Sequence, residues 1–168
     1  MSRAASLSLK MADSIVVCNE VHRFFIAQQL QSISVKNPRI LLEPKGHNTV
    51  LAIVLAEFEA LRYVSDDALM LVLPADHVIR DSATFETTIQ QAVELAKCDI
   101  LVTFGVQPTR PETGYGYIRS TENLAVAEFV EKHNLEKAQA YLDSGDCLWS
   151  SGMLCTTTGI KVQTECLA

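Results

Sequence analysis

The apolar run Leu69–Leu73 is followed closely by an aspartate and a histidine, in the order Leu-Pro-Ala-Asp-His. The aspartate is Asp76, and the end of a buried strand suits a Mg²⁺ ligand there, because hard divalent cations prefer carboxylate oxygen. A metal at that position would neutralise charge that builds on a transferring phosphate. The alternative is that Asp76 caps the next turn and that His77 is a polar loop residue.

A second loop, Glu43–Thr49, also follows an apolar run and leads into a helical pattern. Its Pro44 and Gly46 require a loop, while Asn48 and the first helical amides offer donors for a nucleobase edge or for an anion. An ordinary strand–loop–helix connection with an asparagine cap is the alternative.

Glycine and aromatic residues alternate in a third loop, which reads PETGYGYI over Pro111–Ile118. Gly114 and Gly116 let the backbone approach a ligand closely, and Tyr115 offers a ring face between them. A glycine-rich hairpin turn without a ligand is the alternative.

Two later segments carry side chains that suit a sugar phosphate. Phe-Val-Glu-Lys ends in Glu131 and Lys132, where the carboxylate could bind sugar hydroxyls and the ammonium could hold a phosphate as a point charge. Ser150 and Ser151 follow Trp149, so small hydroxyl residues beside an indole could line a pocket. A surface ion pair and an edge strand are the respective alternatives.

The elements that must position these residues alternate between apolar runs and helical patterns. Four runs predict buried strands: Ser14–Cys18, Arg39–Leu42, Leu69–Leu73 and Ile100–Gly105. The run LMLVL is apolar on both faces, as a central parallel strand requires, and the pattern Thr49–Tyr63 predicts a mostly buried helix. Right-handed crossovers would bring the carboxyl ends of the strands to one edge, where such folds bind ligands.

Beyond Gly105 the pattern changes to turn residues and shorter elements. It predicts strands, a short helix and an extended segment, in the order Tyr117–Ser120, Ala125–Glu131, Leu135–Leu142 and Cys147–Leu154. No internal repeat or linker occurs in the sequence. We therefore predict one α/β domain with a mixed, mainly parallel sheet flanked by helices.

Composition excludes several classes of protein. The 168 residues are 48% hydrophobic and carry a formal net charge of −6, which argues against nucleic acid or an anionic membrane as a partner. Five scattered cysteines without a CxxC pair are expected to be reduced thiols of a cytoplasmic protein. No apolar run approaches the roughly 20 residues of a membrane span.

Taken in order, the motifs resemble the running sequence of bacterial-type mannose-1-phosphate guanylyltransferases. The matching segments are LLEPxGxNT, LPADHVI, VTFGVxPTxPETGYGYI, FVEK and SGxxLWxSGM, within about Ile15 to Met153. The resemblance implies a Rossmann-like fold of the nucleotide-diphospho-sugar transferase type. It also implies a reaction in which the phosphate oxygen of mannose 1-phosphate attacks the α-phosphorus of GTP, giving GDP-mannose and pyrophosphate with Mg²⁺ as cofactor.

The resemblance implies a role for each matching residue. Around the nucleotide it would place Glu43, Pro44, Asn48, Thr49, Pro74 and Ala75. Asp76 would hold Mg²⁺ and, with Lys132, would serve catalysis. The residues that line the sugar phosphate would be Gly114, Tyr115, Gly116, Glu131, Lys132 and Ser150. Among them, Glu131 would bind the mannose hydroxyls and Lys132 would bind the phosphate.

The sequence departs from the family at both ends and at single positions. The family opens with GGxGxRLWPLSR, whose backbone amides hold the triphosphate, and residues 1–14 contain no counterpart. A second Mg²⁺-binding aspartate, which the family carries well after SGM, is also missing. Arginine, Ala-Pro, proline and asparagine of the family are replaced by His47, Val50-Leu51, His133 and Ser150.

These departures predict an unmatched, disordered segment over residues 1–14 and a partial nucleotidyltransferase domain over residues 15–168. One hypothesis is a transferase, or an internal fragment of one, with negligible activity as this polypeptide alone. The other is a non-catalytic nucleotide-sugar-binding or regulatory relic that pairs with a complete subunit. Because loss of the first strand would leave a strand edge uncovered, we also expect self-association into a homo-oligomer.

Overall fold

A computed structural model of the chain describes residues 14–44, 49–63, 68–131 and 134–158, and the backbone of Thr164–Leu167. The chain divides into two compact units. The first comprises the described residues up to Ala68 together with Ala75–Glu86, and the second comprises Leu69–Pro74 and the described residues from Thr87 onward. The expected disordered segment over residues 1–14 lies, except for Ser14, outside the described residues.

The first unit contains a two-stranded parallel sheet with two helices. Strand β1 (Ile15–Asn19) pairs with strand β2 (Arg39–Glu43). A 3-10 turn leads from β1 into helix α1 (Arg23–Ser32), and helix α2 (Thr49–Leu61) follows β2. The Asn19 side chain accepts a hydrogen bond from the backbone amide of Val21 at 3.0 Å and so caps the start of this helical segment.

Helix α2 differs from the predicted, mostly buried helix. None of its described side chains is buried, and Val50 and Phe58 are each 65% exposed. In α1 the pattern is similar, since Leu30 is buried while Phe24 and Phe25 are exposed. A helix that is apolar on all sides needs cover on all sides. A two-stranded sheet offers too little surface to supply it.

The second unit is built on a six-stranded sheet. Its strands are β3 (Leu69–Val72), β4 (Leu101–Val106), β5 (Tyr117–Ser120), β6 (Val126–Val130), β7 (Cys147–Thr157) and β8 (Thr164–Leu167). They follow the order β6-β5-β7-β4-β8, and β3 also pairs with β7. Helix α3 (Ser82–Ala96) enters this unit at Thr87, and helix α4 (Leu135–Ser144) packs against β7.

Strand β7 pairs with three other strands of this sheet, so most strand directions are defined relative to it. It runs antiparallel to β3, β4 and β5, whereas β4 pairs with β8 in parallel. The mixed α/β class is confirmed, but antiparallel pairings outnumber parallel ones among the described strands of this sheet. The run that was expected to be a central parallel strand forms β3, which lies antiparallel to β7 and leaves Leu69 39% exposed.

A buried cluster holds α4 against the middle of this sheet. It consists of Tyr117, Val130, Ala138 and Cys147, with Tyr141 and Trp149 packed against it. Helix α4 begins at the cap Asn134, whose side chain accepts a hydrogen bond from the Lys137 amide at 3.1 Å. Because the cluster includes residues of β5, β6 and β7, it fixes the strand ends that carry the predicted sugar-phosphate residues. No helix in the described part of the chain is long and apolar enough to span a membrane.

Candidate functional site

The glycine-rich loop, the end of β6 and the stretch Ser150–Gly152 of β7 line a pocket in the second unit. Its volume is about 250 Å³, and we call it the glycine-loop pocket. The residues that line it are Gly114, Tyr115, Gly116, Tyr117, Phe129, Val130, Glu131, Ser150, Ser151 and Gly152. The structure therefore brings together the predicted sugar-phosphate residues Gly114, Tyr115, Gly116, Glu131 and Ser150, while Lys132 lies outside the described residues.

Two glycines let the backbones of this pocket approach one another. The Ser150 amide donates a hydrogen bond to the Gly116 carbonyl at 2.8 Å, which joins the loop to β7. A Cβ atom on Gly116 would lie only 3.4 Å from the Val130 carbonyl oxygen. Gly152 has a φ of +70°, a left-handed conformation that favours glycine, and a Cβ there would lie 3.6 Å from Cγ of Pro74.

The two serines of β7 have different environments. The Ser151 hydroxyl donates to the Phe104 carbonyl at 2.6 Å and accepts from the Met153 amide at 3.2 Å, so it stabilises the sheet. Ser150 lines the pocket and is half-buried. At the end of β6, Glu131 presents an exposed carboxylate to the same pocket. Ser150 and Glu131 therefore offer hydrogen-bonding groups to a ligand.

Tyr115 and Trp149 form an aromatic wall beside the loop. Their ring centroids lie 5.4 Å apart at an interplanar angle of 72°, and the Arg110 guanidinium lies 5.9 Å from the centroid of the Trp149 ring. A pocket that combines aromatic rings, glycine backbone, a hydroxyl and a carboxylate suits a small polar ligand with some apolar surface.

Glu112 organises the loop, a role that the sequence motifs did not indicate. Its carboxylate accepts hydrogen bonds from the Gly114 amide at 3.1 Å and from Arg110 Nε and Nη2 at 3.3 and 3.2 Å. The Gly114 amide, followed by Arg110, lowers the pKa of this carboxyl group. The opposite charges of Arg110 and Glu112, two residues apart, were the available signal for this contact.

In the first unit, Glu43 and Pro44 lie at the carboxyl end of β2. Glu43 is only 9% exposed, and its Oε1 has no hydrogen-bond partner among the described residues. Burial, and secondarily the charge of Glu43, raises the pKa of the nearby Cys18 thiol. A buried carboxylate oxygen without a donor is costly, so this atom suits a ligand that carries N–H groups.

The remaining nucleotide-side predictions are only partly described. Thr49 is exposed at the start of α2, and Asn48 lies outside the described residues. Pro74 is half-buried in the second unit beside Gly152, while Ala75 is exposed and belongs to the first unit. Of the five described residues of this set, Pro74 belongs to the second unit and the other four belong to the first.

Asp76 belongs to the first unit and has an 88% exposed side chain. His77 Nε2 lies 4.0 Å from its Oδ1. Within the described ranges, no group of three or more histidine, cysteine, aspartate or glutamate residues could hold a metal ion. A single exposed carboxylate does not by itself form a metal site, so Mg²⁺ binding at Asp76 stays a prediction.

The second unit thus combines a mixed α/β sheet, one long strand that pairs antiparallel with three neighbours, and a pocket beside a glycine-rich loop. The profile of the nucleotidyl transferase family matches residues 2–165, and the chain belongs to that family.

Within the family, similar relatives include a mannose-1-phosphate guanylyltransferase and a xanthan biosynthesis protein. The chain is 53% identical over 157 residues to mannose-1-phosphate guanylyltransferase of Salmonella montevideo, covering 87% of this chain and 33% of that protein. It is 55% identical over 142 residues to the xanthan biosynthesis protein XanB of Xanthomonas campestris pv. campestris (strain B100), covering 83% and 30% respectively. The resemblance inferred from the motifs is confirmed.

A solved structure gives the same fold. The crystal structure of mannose-6-phosphate isomerase from Helicobacter pylori matches with a TM-score of 0.83 and 36% identity, over 94% of this chain and 59% of that chain. The present chain spans about a third of the length of the two curated relatives.

Proposed function

We propose that this chain provides the sugar-phosphate pocket of a mannose-1-phosphate guanylyltransferase. The reaction would transfer GMP from GTP to mannose 1-phosphate and release pyrophosphate, with GDP-mannose as product. One observation carries the proposal: a single pocket is lined by residues from three separate segments of the chain, namely Gly114–Gly116, Glu131 and Ser150. Identity of 53% to a guanylyltransferase favours this function over that of a non-catalytic relic.

In the proposed complex, the glycine-loop pocket orients mannose 1-phosphate for attack. The Glu131 carboxylate accepts hydrogen bonds from sugar hydroxyls, and the Tyr115 ring packs beside the sugar. Gly116 carries no side chain at this wall of the pocket and so leaves room for the sugar ring. Lys132 follows Glu131 directly and is the proposed partner of the phosphate. Holding the nucleophile in one orientation is a large part of catalysis in such transfers.

The first unit supplies the proposed nucleotide contacts. The unpartnered Oε1 of Glu43 would accept hydrogen bonds from the N–H groups of the guanine edge. Asp76 is the carboxylate that would hold Mg²⁺, and its exposure leaves room for the waters that this ion keeps. Bound Mg²⁺ would supply charge neutralisation at the phosphates.

Calorimetric titration of the full chain with mannose 1-phosphate and with glucose 1-phosphate tests the proposal. We expect mannose 1-phosphate to bind more tightly, and the Glu131→Gln substitution to weaken its binding by about tenfold, as expected for loss of a hydrogen bond to a charged group. Glu122→Gln is the matched control, because Glu122 is exposed and lies in the turn before β6. Absence of binding, or equal binding of both sugar phosphates, would overturn the proposal.

A further inference from the structure

The loop Arg110–Gly116 forms the exposed wall of the glycine-loop pocket, yet it contains no helix or strand. Its shape depends on Glu112. The carboxylate of this residue contacts Arg110 on one side and the Gly114 amide on the other. A Cβ on Gly114 would lie 3.4 Å from Glu112 Oε1, so the loop is folded closely around this carboxylate.

The backbone of Glu112 is fixed as well as its side chain. The Tyr117 hydroxyl lies 3.0 Å from both the amide nitrogen and the carbonyl oxygen of Glu112, accepting from the first and donating to the second. Tyr117 is only 1% exposed and belongs to the buried cluster that includes residues of β5, β6, α4 and β7. Glu112 therefore connects an exposed loop to the core of the unit.

The same carboxylate also fixes the aromatic wall. Glu112 Oε2 holds the Arg110 guanidinium, which lies 5.9 Å from the Trp149 ring centroid. On the other side of Glu112, the Gly114 amide bond sets the chain direction that leads into Tyr115, whose ring meets Trp149 edge-on. The contacts of the Trp149 ring with Arg110 and with Tyr115 thus both depend on the Glu112 side chain.

We propose that Glu112 is a positioning residue, which holds Tyr115 and the Gly114–Gly116 backbone in the conformation that receives the sugar phosphate. The identity of the ligand rests on the proposed function. The effect of Glu112 on the loop does not, and it can be measured without a ligand.

Trp149 is the single tryptophan of the chain, so its fluorescence reports on this wall alone. In the ligand-free full chain, Glu112→Gln is expected to increase quenching of Trp149 by acrylamide and to shift its emission to longer wavelength. The matched control is Glu128→Gln, which removes the same charge from the Arg119–Glu128 ion pair (3.1 Å) of the β5–β6 hairpin. The control is expected to leave quenching and emission unchanged.

Titration with mannose 1-phosphate and GTP then separates positioning from general destabilisation. Glu112→Gln is expected to weaken mannose 1-phosphate binding by about fivefold to tenfold and to leave GTP binding unchanged; the loss is smaller than for a direct charge-assisted hydrogen bond because Glu112 acts through the loop. A wild-type chain that binds no mannose 1-phosphate would refute the proposed function, and Trp149 quenching would then decide the role of Glu112.

A second substitution covers the case in which Glu112→Gln does not fold, as judged by its thermal melt. Tyr117→Phe keeps the ring in the core but removes the hydroxyl that holds the Glu112 backbone. It is expected to change quenching and mannose 1-phosphate affinity in the same direction. Unchanged quenching in a folded variant, or an equal change in Glu128→Gln, would overturn the positioning role of Glu112.

Discussion

The carboxylates of Glu112 and Glu43 differ in how many hydrogen-bond donors surround them. Glu112 is surrounded by donors, whereas one oxygen of the nearly buried Glu43 has none among the described residues. A carboxylate with donors stabilises its own loop in the absence of a ligand. A buried carboxylate oxygen without a donor reduces stability until a ligand supplies one. This difference leads to opposite predictions for two substitutions of glutamate by glutamine.

The loop around Glu112 is predicted to lose order in acid. Hydrogen bonds from the Gly114 amide and Arg110 lower the pKa of this carboxyl group, so its contribution is present above the unfolded pKa and is lost as the pH falls through the lowered folded value. Trp149 quenching should therefore increase over that acidic range. The pKa of Asp146, directly before β7, is lowered as well, so protonation of Asp146 is another possible cause of such a change. If the acid-induced increase in Trp149 quenching persists in Glu112→Gln, the prediction is contradicted.

Substitution of Glu43 should increase stability and weaken nucleotide binding. Glu43→Gln removes a buried charge with an unpartnered oxygen, so we expect it to raise the free energy of unfolding by about 1 kcal/mol. We expect GTP binding to weaken about tenfold to a hundredfold, because a hydrogen bond to a charged acceptor is lost. Thermal melts and calorimetry check the two effects. The control is Glu94→Gln in α3, which removes the same charge from a side chain that is 71% exposed. A loss of stability in Glu43→Gln would contradict the prediction.

At the scale of the element, β7 is the feature that creates the pocket. Its register against β4 shifts between Thr103 and Gly105, which pair with Leu154 and Ser150 respectively. Between these two pairs lies one residue of β4 but three of β7, and the irregular stretch of β7 contains Gly152 in its left-handed conformation. Such a bulge redirects side chains locally. Ser150 lines the pocket beside this irregular stretch.

Two glycines with nearly identical φ angles allow a matched test of this bulge. Gly152 and Gly145 have φ values of +70° and +71°, and a Cβ on Gly145 would meet nothing within 4 Å. Either glycine-to-alanine substitution should reduce stability by about 1 kcal/mol through backbone strain. Only Gly152→Ala should also weaken mannose 1-phosphate binding. Denaturant melts and titrations check this, and equal binding losses in both variants would contradict the proposed role of the bulge.

Sequence patterns predicted the positions of the strands better than they predicted which strands pair with each other. Apolar periodicity located β1, β2 and β4 within a residue or two, because burial repeats along each strand independently of its neighbours. The pairing of β3 with β7 depends on residues more than 80 positions apart, and no local pattern encodes it. In the same way, the motifs named residues that line the pocket, whereas the role of Glu112 depends on contacts with Arg110, Gly114 and Tyr117 that the motifs do not encode.

At the scale of the whole chain, the main feature is the exposed apolar surface of the first unit. Exposed side chains of α1 and α2 include Phe24, Phe25, Val50, Leu51 and Phe58. Single exposed apolar residues are ordinary, but a helix that is apolar on all sides and has no buried residue is not. Surfaces of this kind promote association.

We therefore predict that the chain self-associates through this unit. Sedimentation velocity should give a sedimentation coefficient that rises with protein concentration, and Val50→Gln with Phe58→Gln should reduce the rise, because both side chains are 65% exposed on α2. The matched control is Leu135→Gln, since Leu135 is 62% exposed on α4 of the second unit. A concentration-independent monomer, or an equal effect of Leu135→Gln, would contradict the prediction. Burial of α2 in the associated form would also explain why its sequence is apolar on all sides.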